Sequence, residues 1–149
     1  MNRLIALCLV LAFLTLLGGE GLSKEGPLPR EFGVYVKTQK GFKRLMPNVV
    51  LEERGVYFLE SLNPPRLLLG EVEYFVVRGT YNVEVLTLNP LVPWQKSALG
   101  KDRFIFGKEL DVEVKKVAAN TYTVRQRGLF GRGYYAIWID DAAWDFILE

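Results

Sequence analysis

The sequence predicts an all-β domain, a sandwich or barrel of short antiparallel strands. Three observations carry this. Segments rich in Val, Tyr, Phe and Ile recur, with Gly, Pro and Asn turn signals about every 8–12 residues. Beyond the first residues no stretch shows a helical hydrophobic period. Half of the 149 residues are hydrophobic, enough for one domain with a core and too many for a disordered chain.

The first element is not part of that domain. Residues 1–17, MNRLIALCLVLAFLTLL, place one Arg before an apolar run from Leu4 to Leu17, and the small residues Gly19 and Gly21 follow. A short basic start, an apolar centre and a small-residue exit form the pattern of a secretory signal peptide. The run would make about 21 Å of helix, short of the roughly 20 residues that a bilayer span needs. The expectation is therefore a signal peptide over 1–21, a mature start near Leu22, a β-sandwich domain over 22–149, and a secreted or periplasmic protein. Membrane contact is expected only if the segment is kept as an anchor. Cys8 lies inside the apolar run with Leu7 before it, which argues against a lipidation site.

Composition then excludes chemistries. Cys8 is the single cysteine, so the mature domain has no disulfide, thiol nucleophile or thiolate metal site. There is no histidine at all, which removes the usual general base, the Ser-His-Asp triad and the commonest transition-metal ligand. No cofactor and no metal are implied. The net charge is +2, and it stays +2 without the leader, which carries one Arg and one Glu. That balance does not suit a dedicated nucleic-acid binder.

The strands follow in order. Residues 32–38 and 42–46 flank QKG, a Gly-containing hairpin turn; residues 55–60 end at the NPP of 63–65, which cannot continue a ladder. Residues 71–77 and 81–88 flank another Gly turn. NPLVPWQKSALG (89–100), with two prolines, reads as a long loop with one helical turn at Trp94–Leu99. Strands are then expected at 103–106, 109–117, 121–127, 134–139 and 144–149.

The segment RQRGLFGRGYY (125–135) holds three arginines and three glycines, and the strands before it explain most of them. Leu110, Val112 and Val114 alternate with Asp111, Glu113 and Lys115. Tyr122 and Val124 alternate with outward Thr121, Thr123, Arg125 and Arg127. A three-residue loop, Ala118–Asn120, with Asn120 left-handed, sets Val114 opposite Val124, Glu113 opposite Arg125 and Asp111 opposite Arg127. Two of the three arginines then have local acids. GLFGRG lacks the Lys-Ser/Thr and the following helix of a phosphate loop. It reads as a corner between strands, with Gly131 or Gly133 at positive φ, and not as an anion site.

The stretch ELDVEVKKVAANTYTVRQRGLFGRGYYAIWIDDAAWDFIL resembles the C-terminal part of uncharacterised bacterial exported β-domains. In those domains a Tyr-x-Val strand leads through a Gly turn into a Tyr-Tyr or Tyr-Ala strand and a final aromatic strand. FGVYVKTQKGFKRLMP resembles their opening hairpin. Arg132-Gly133 stands where they often have Pro-Gly. The resemblance implies a single immunoglobulin-like β-sandwich; it carries no activity and no site residues.

The last hairpin holds the candidate binding residues. A four-residue loop, Asp140–Ala143, would set Ile137 opposite Phe146 and Tyr135 opposite Leu148 on a core face. The other face would pair Trp138 with Asp145 and Tyr134 with Glu149. Aromatics beside carboxylates can stack on a sugar ring and accept its hydroxyl hydrogen bonds, but the same face could be covered by another sheet. Asp140, Asp141 and Asp145 lack the alternating ligands of a Ca²⁺ loop. Trp94, in the long loop, is a candidate partner anchor if exposed. Enzymatic readings rest on little: a carboxylate-pair hydrolase would draw on Asp102, Asp140, Asp141 or Asp145, and a Ser-Lys nucleophile on Lys96-Ser97. The expectation is a non-enzymatic domain that binds a protein or glycan in the cell envelope, with a carbohydrate-binding module and a carboxylate hydrolase as the rival classes.

Overall fold

The structure is a computed structural model that describes residues 26–61 and 63–149. The expected signal peptide and the Leu22 start lie outside the described residues. Within them there is no α-helix, and no helix long and apolar enough to cross a membrane.

Thirteen strands are described: β1 Gly33–Thr38, β2 Gly41–Leu45, β3 Pro47–Val49, β4 Leu51–Glu53, β5 Val56–Glu60, β6 Arg66–Leu67, β7 Val72–Arg78, β8 Thr87–Pro93, β9 Arg103–Phe106, β10 Val112–Ala118, β11 Thr121–Gln126, β12 Gly133–Ile139 and β13 Ala142–Leu148. They form two layers of antiparallel sheet. The first runs β10-β11-β7-β1-β2 and the second β3-β13-β12-β8-β9-β5-β4. One pairing departs from the all-antiparallel expectation: β6 lies parallel to β13.

The ends of the second sheet are two halves of one ribbon. β3 pairs with β13 and β4 pairs with β5, and only Val50 separates them. Val50 still bonds through its N–H to the Asp141 carbonyl, 2.9 Å away. The sheet thus curls round and closes through this ribbon, leaving a one-sided pairing only at the short strands β3, β4 and β6.

Alternation places the core. Val34, Val36, Phe75, Val77 and Val124 of the first sheet meet Leu88, Ile137, Ile139, Trp144, Phe146 and Leu148 of the second. The opposite face of the second sheet turns inward as it curls, around Leu59, Leu91, Ala136 and Ala143.

From Val112 to Lys116 the β10–β11 hairpin has the expected register, with Val114 opposite Val124 and Glu113 opposite Arg125. Nearer the turn a bulge pairs Ala118 with Thr121, so the loop is Ala119–Asn120 and not the expected three residues. Arg127 donates its N–H to the Asp111 carbonyl at 2.9 Å, and its guanidinium lies 3.9 Å from the Asp111 carboxylate. Asn120 is left-handed at φ 48°. Thr121 and Thr123, expected outward, are buried instead. β11 is an inner strand: β7 flanks it, Thr123 lies opposite Val76, and a small cluster of Tyr35, Tyr74 and Val76 covers that face of the sheet. Alternation within one strand cannot report such a neighbour.

Two further expectations are corrected. Residues 81–88 are not one strand: Val83–Val85 form a 3₁₀ turn, with the Asn82 side chain accepting from the Glu84 N–H at 3.3 Å. Residues 89–100 are not one loop, because β8 continues to Pro93. β8 pairs with β12 through Thr87–Pro90 and with β9 through Leu91–Pro93. Pro90 sits where the strand changes partner, so its missing N–H costs no continuous ladder. Its carbonyl accepts from Gly107 at 2.7 Å. Trp94–Leu99 forms no helical turn; Ser97 closes a tight turn there, accepting from the Lys101 N–H through its hydroxyl at 2.9 Å.

The last hairpin has the expected faces and a different register. The loop is the two residues Asp140 and Asp141, with Asp140 left-handed at φ 52°. Ile137 lies opposite Trp144, Tyr135 opposite Phe146, Ala136 opposite Asp145 and Trp138 opposite Ala143. An Asp tolerates the left-handed position, so the turn is two residues tighter than expected. A shift of two keeps every side chain on its face.

RQRGLFGRG crosses between the layers, from β11 in the first sheet to β12 in the second. Phe130 anchors it by edge contacts with Phe75 and Tyr135, at 6.3 and 5.3 Å between ring centroids. Gly133 has φ 156°, a region nearly reserved for glycine, and a Cβ there would meet the Tyr135 ring at 3.4 Å. Gly133→Val is therefore expected to destabilise the domain by about 1–3 kcal/mol. Arg132→Ala, on the exposed side, should change stability by less than about 0.5 kcal/mol. Urea titration of both variants checks the pair; equal midpoints would remove the corner's requirement for glycine.

Candidate functional site

Alternation along β13 sends Asp145 to the inner face of the closed sheet, between buried Ala143 and half-buried Ile147. It is 3 % exposed, unusual for a carboxylate. Burial of such a group is tolerated only when its oxygens are satisfied. Here Asn48 donates to Oδ1 at 2.7 Å, while Ser61 at 2.6 Å and the Tyr134 hydroxyl at 2.5 Å donate to Oδ2. Three strands and a loop supply the four groups: β3, β12, β13 and the segment after β5. Burial raises the Tyr134 hydroxyl well above the ordinary tyrosine range, and its hydrogen bond to Asp145 adds to the rise. Tyr134 therefore stays a proton donor to Asp145 over the whole physiological range. Among the described residues no cation forms an ion pair with Asp145.

This network lies beneath an open cleft of about 570 Å³. Asn48 and Asp145 form its floor. Met46, 70 % exposed, and Pro64 and Pro65 supply apolar surface. Lys43, Arg44 and Arg66 bring positive charge. Arg44 is held by Glu31 at 3.1 Å and by the Phe32 carbonyl at 2.9 Å, and Arg66 is paired with Glu149. Lys43 makes no ion pair among the described residues.

The residues expected to form one aromatic-carboxylate face divide between two places. Tyr134 and Asp145 come together under the cleft. Trp138 is carried to the other end of the closed sheet, stacked on Phe106 at 4.4 Å with Tyr57 at 5.5 Å, its indole N–H donating to the Asp140 carbonyl at 2.7 Å. Glu149 lies outside this face, paired with Arg66. Trp94 is folded back against Phe58, 5.4 Å between rings, and the Arg103 guanidinium also lies over the Phe58 ring. Asn48, Ser61, Lys43 and Arg66 had no sequence signal, because each meets the site across a long stretch of chain.

The arrangement can hold a ligand through a cation, amide groups and apolar contact. Paired-carboxylate hydrolysis needs two acids about 5–9.5 Å apart, and Asp145 is the only acid among the described residues lining the cleft. Among the described residues no three acidic side chains converge on a point where a metal ion could sit. The chain matches no protein-family profile, no curated protein and no solved structure.

Proposed function

We propose that this protein is an exported, non-enzymatic binding domain of the cell envelope, and that the cleft above Asp145 is its binding surface. The observation that supports this best is the pairing of an open cleft with a buried, fully hydrogen-bonded floor. A carboxylate held by three donors is a rigid fixture, and rigid sites bind with less entropic loss. The export expected from residues 1–21, and the likeness to exported immunoglobulin-like domains, belong to the same proposal. The two antiparallel layers support the immunoglobulin-like part.

The test is retention of envelope material on the immobilised protein and on its Lys43→Glu variant. The native protein is expected to retain a protein or glycan that the variant releases. Identical retention by both, or none by either, would refute the cleft as the binding surface.

A carbohydrate-binding reading keeps one supporting observation. Tyr57 is half exposed beside Trp138, and Trp138 lines a small cavity with Val85, Thr87 and Asp140. It predicts glycan-array binding that Trp138→Ala removes and Lys43→Glu leaves intact.

A further inference from the structure

Resting on the proposed binding role of the cleft, we infer that its partner is an extended, acidic polypeptide segment that adds as a sixth strand to the free edge of β2. β2 ends the first sheet and pairs on one side only, with β1, from Thr38 opposite Gly41 to Val34 opposite Leu45. Among the described residues, Phe42, Lys43 and Arg44 make no backbone hydrogen bond outside that ladder. In an antiparallel pair alternate residues turn both backbone groups away from the partner, so β2 offers these outward. The edge is about 17 Å long, at roughly 3.4 Å per residue. Closure of the second sheet leaves it no comparable edge. At the other end of the first sheet, β10 is irregular between Lys116 and Ala118, which disrupts pairing there.

A groove follows the β2 edge. A second cavity of about 360 Å³, beside Gly41, Phe42 and Leu68, shares Lys43 and Arg66 with the cleft above Asp145. Strand addition combines main-chain hydrogen bonds with pockets for alternate side chains. Here the exposed Met46 and Leu68 supply apolar contact, and Lys43 lies in both cavities. The charged residues lining the two cavities are Lys40, Lys43, Arg44 and Arg66 against Glu71 and buried Asp145. Lys40 is paired with Glu71 at 3.0 Å, so Lys43 is the cation left to meet a partner. That charge selects the occupant. A second copy of β2 would set like charges across the new pair, which destabilises it, whereas alternate acids would meet Lys43.

The test uses the full-length protein and labelled ten-residue peptides in fluorescence polarisation. The probes are alternating Glu and Thr, alternating Lys and Thr, and the acidic peptide N-methylated on either alternate set of amides. The acidic peptide is expected to bind at least about tenfold more tightly than the basic one. One N-methyl set should abolish binding and the other should not, as only one set faces β2. Lys43→Glu should weaken binding by about tenfold or more with an unchanged melting temperature, and Lys43→Gln serves if the first variant fails to fold. Equal affinity for both charge types, or equal effects of both N-methyl sets, would overturn the inference. So would a dimer in sedimentation that the acidic peptide does not dissociate, because a second copy would then hold the edge. If Lys43→Glu abolishes envelope retention but no peptide binds, the cleft stands as a binding surface and strand addition falls.

Discussion

Phe146→Ala is expected to destabilise the domain by about 3–5 kcal/mol, the range for truncating a buried aromatic. Phe146 is fully buried at the centre of β13. Its ring lies 5.1 Å from Phe75 in the facing sheet and 5.9 Å from Tyr135 on the adjacent strand. Truncation removes contacts to both layers, and the ladders on each side hold the backbone too firmly to collapse around the cavity. Domains of this size have only about 5–15 kcal/mol to lose, so the variant should unfold at markedly lower urea with an unchanged slope. Phe146→Leu keeps most of the volume and should cost less. A loss below about 1 kcal/mol for Phe146→Ala would mean that the two layers are not packed through this residue.

Asp145→Ala is expected to destabilise by about 2–4 kcal/mol. Hydrogen bonds to a charged group contribute roughly 1.5–3 kcal/mol each, and donors left buried without a partner add a further cost. Three such bonds end on Asp145. The full sum is not expected, since burying the carboxylate itself costs free energy that the variant recovers. Asp145→Asn separates the effects. It keeps one acceptor oxygen but turns an amide donor toward other donors, so it should fall between the native protein and Asp145→Ala. Urea midpoints decide the order. An Asp145→Ala variant as stable as the native protein would show that the network serves only the cleft and not the fold.

How much of this was legible before folding varies by element. The β10–β11 hairpin was legible in the register of its strands, because two opposite-charge pairs and the Val114–Val124 pair agree on one alignment; the bulge that shortens its loop to Ala119–Asn120 was not. The last hairpin was legible in its faces and not in its register, because a shift of two residues preserves alternation and only the turn distinguishes the alternatives. Residues 89–93 of β8 were read as loop, since proline is a sound reason to reject a central strand. What rescues it is a change of partner at Pro90, which no local pattern announces. Among the site residues, Tyr134 and Asp145 were legible as sharing one face, but the expected register sets Trp138 and not Tyr134 beside Asp145. Trp138 does share that face, and the two-residue shift in register takes it from opposite Asp145 to opposite Ala143.

The sequence by itself determined the all-β class, the alternation that fills the core, the absence of histidine and of any cysteine beyond Cys8, and the structural role of the Arg-Gly corner. These follow from composition and from contacts between near neighbours in the chain. Only the tertiary structure decided that the second sheet closes through the ribbon of β3 and β4, that β2 keeps a free edge beside a groove, and that a buried carboxylate forms the floor of a cleft. The partners of Asp145 explain why: Asn48 lies 97 positions away and Ser61 lies 84. A buried charge must find its donors wherever the fold brings them, and no periodicity along the chain records where that will be.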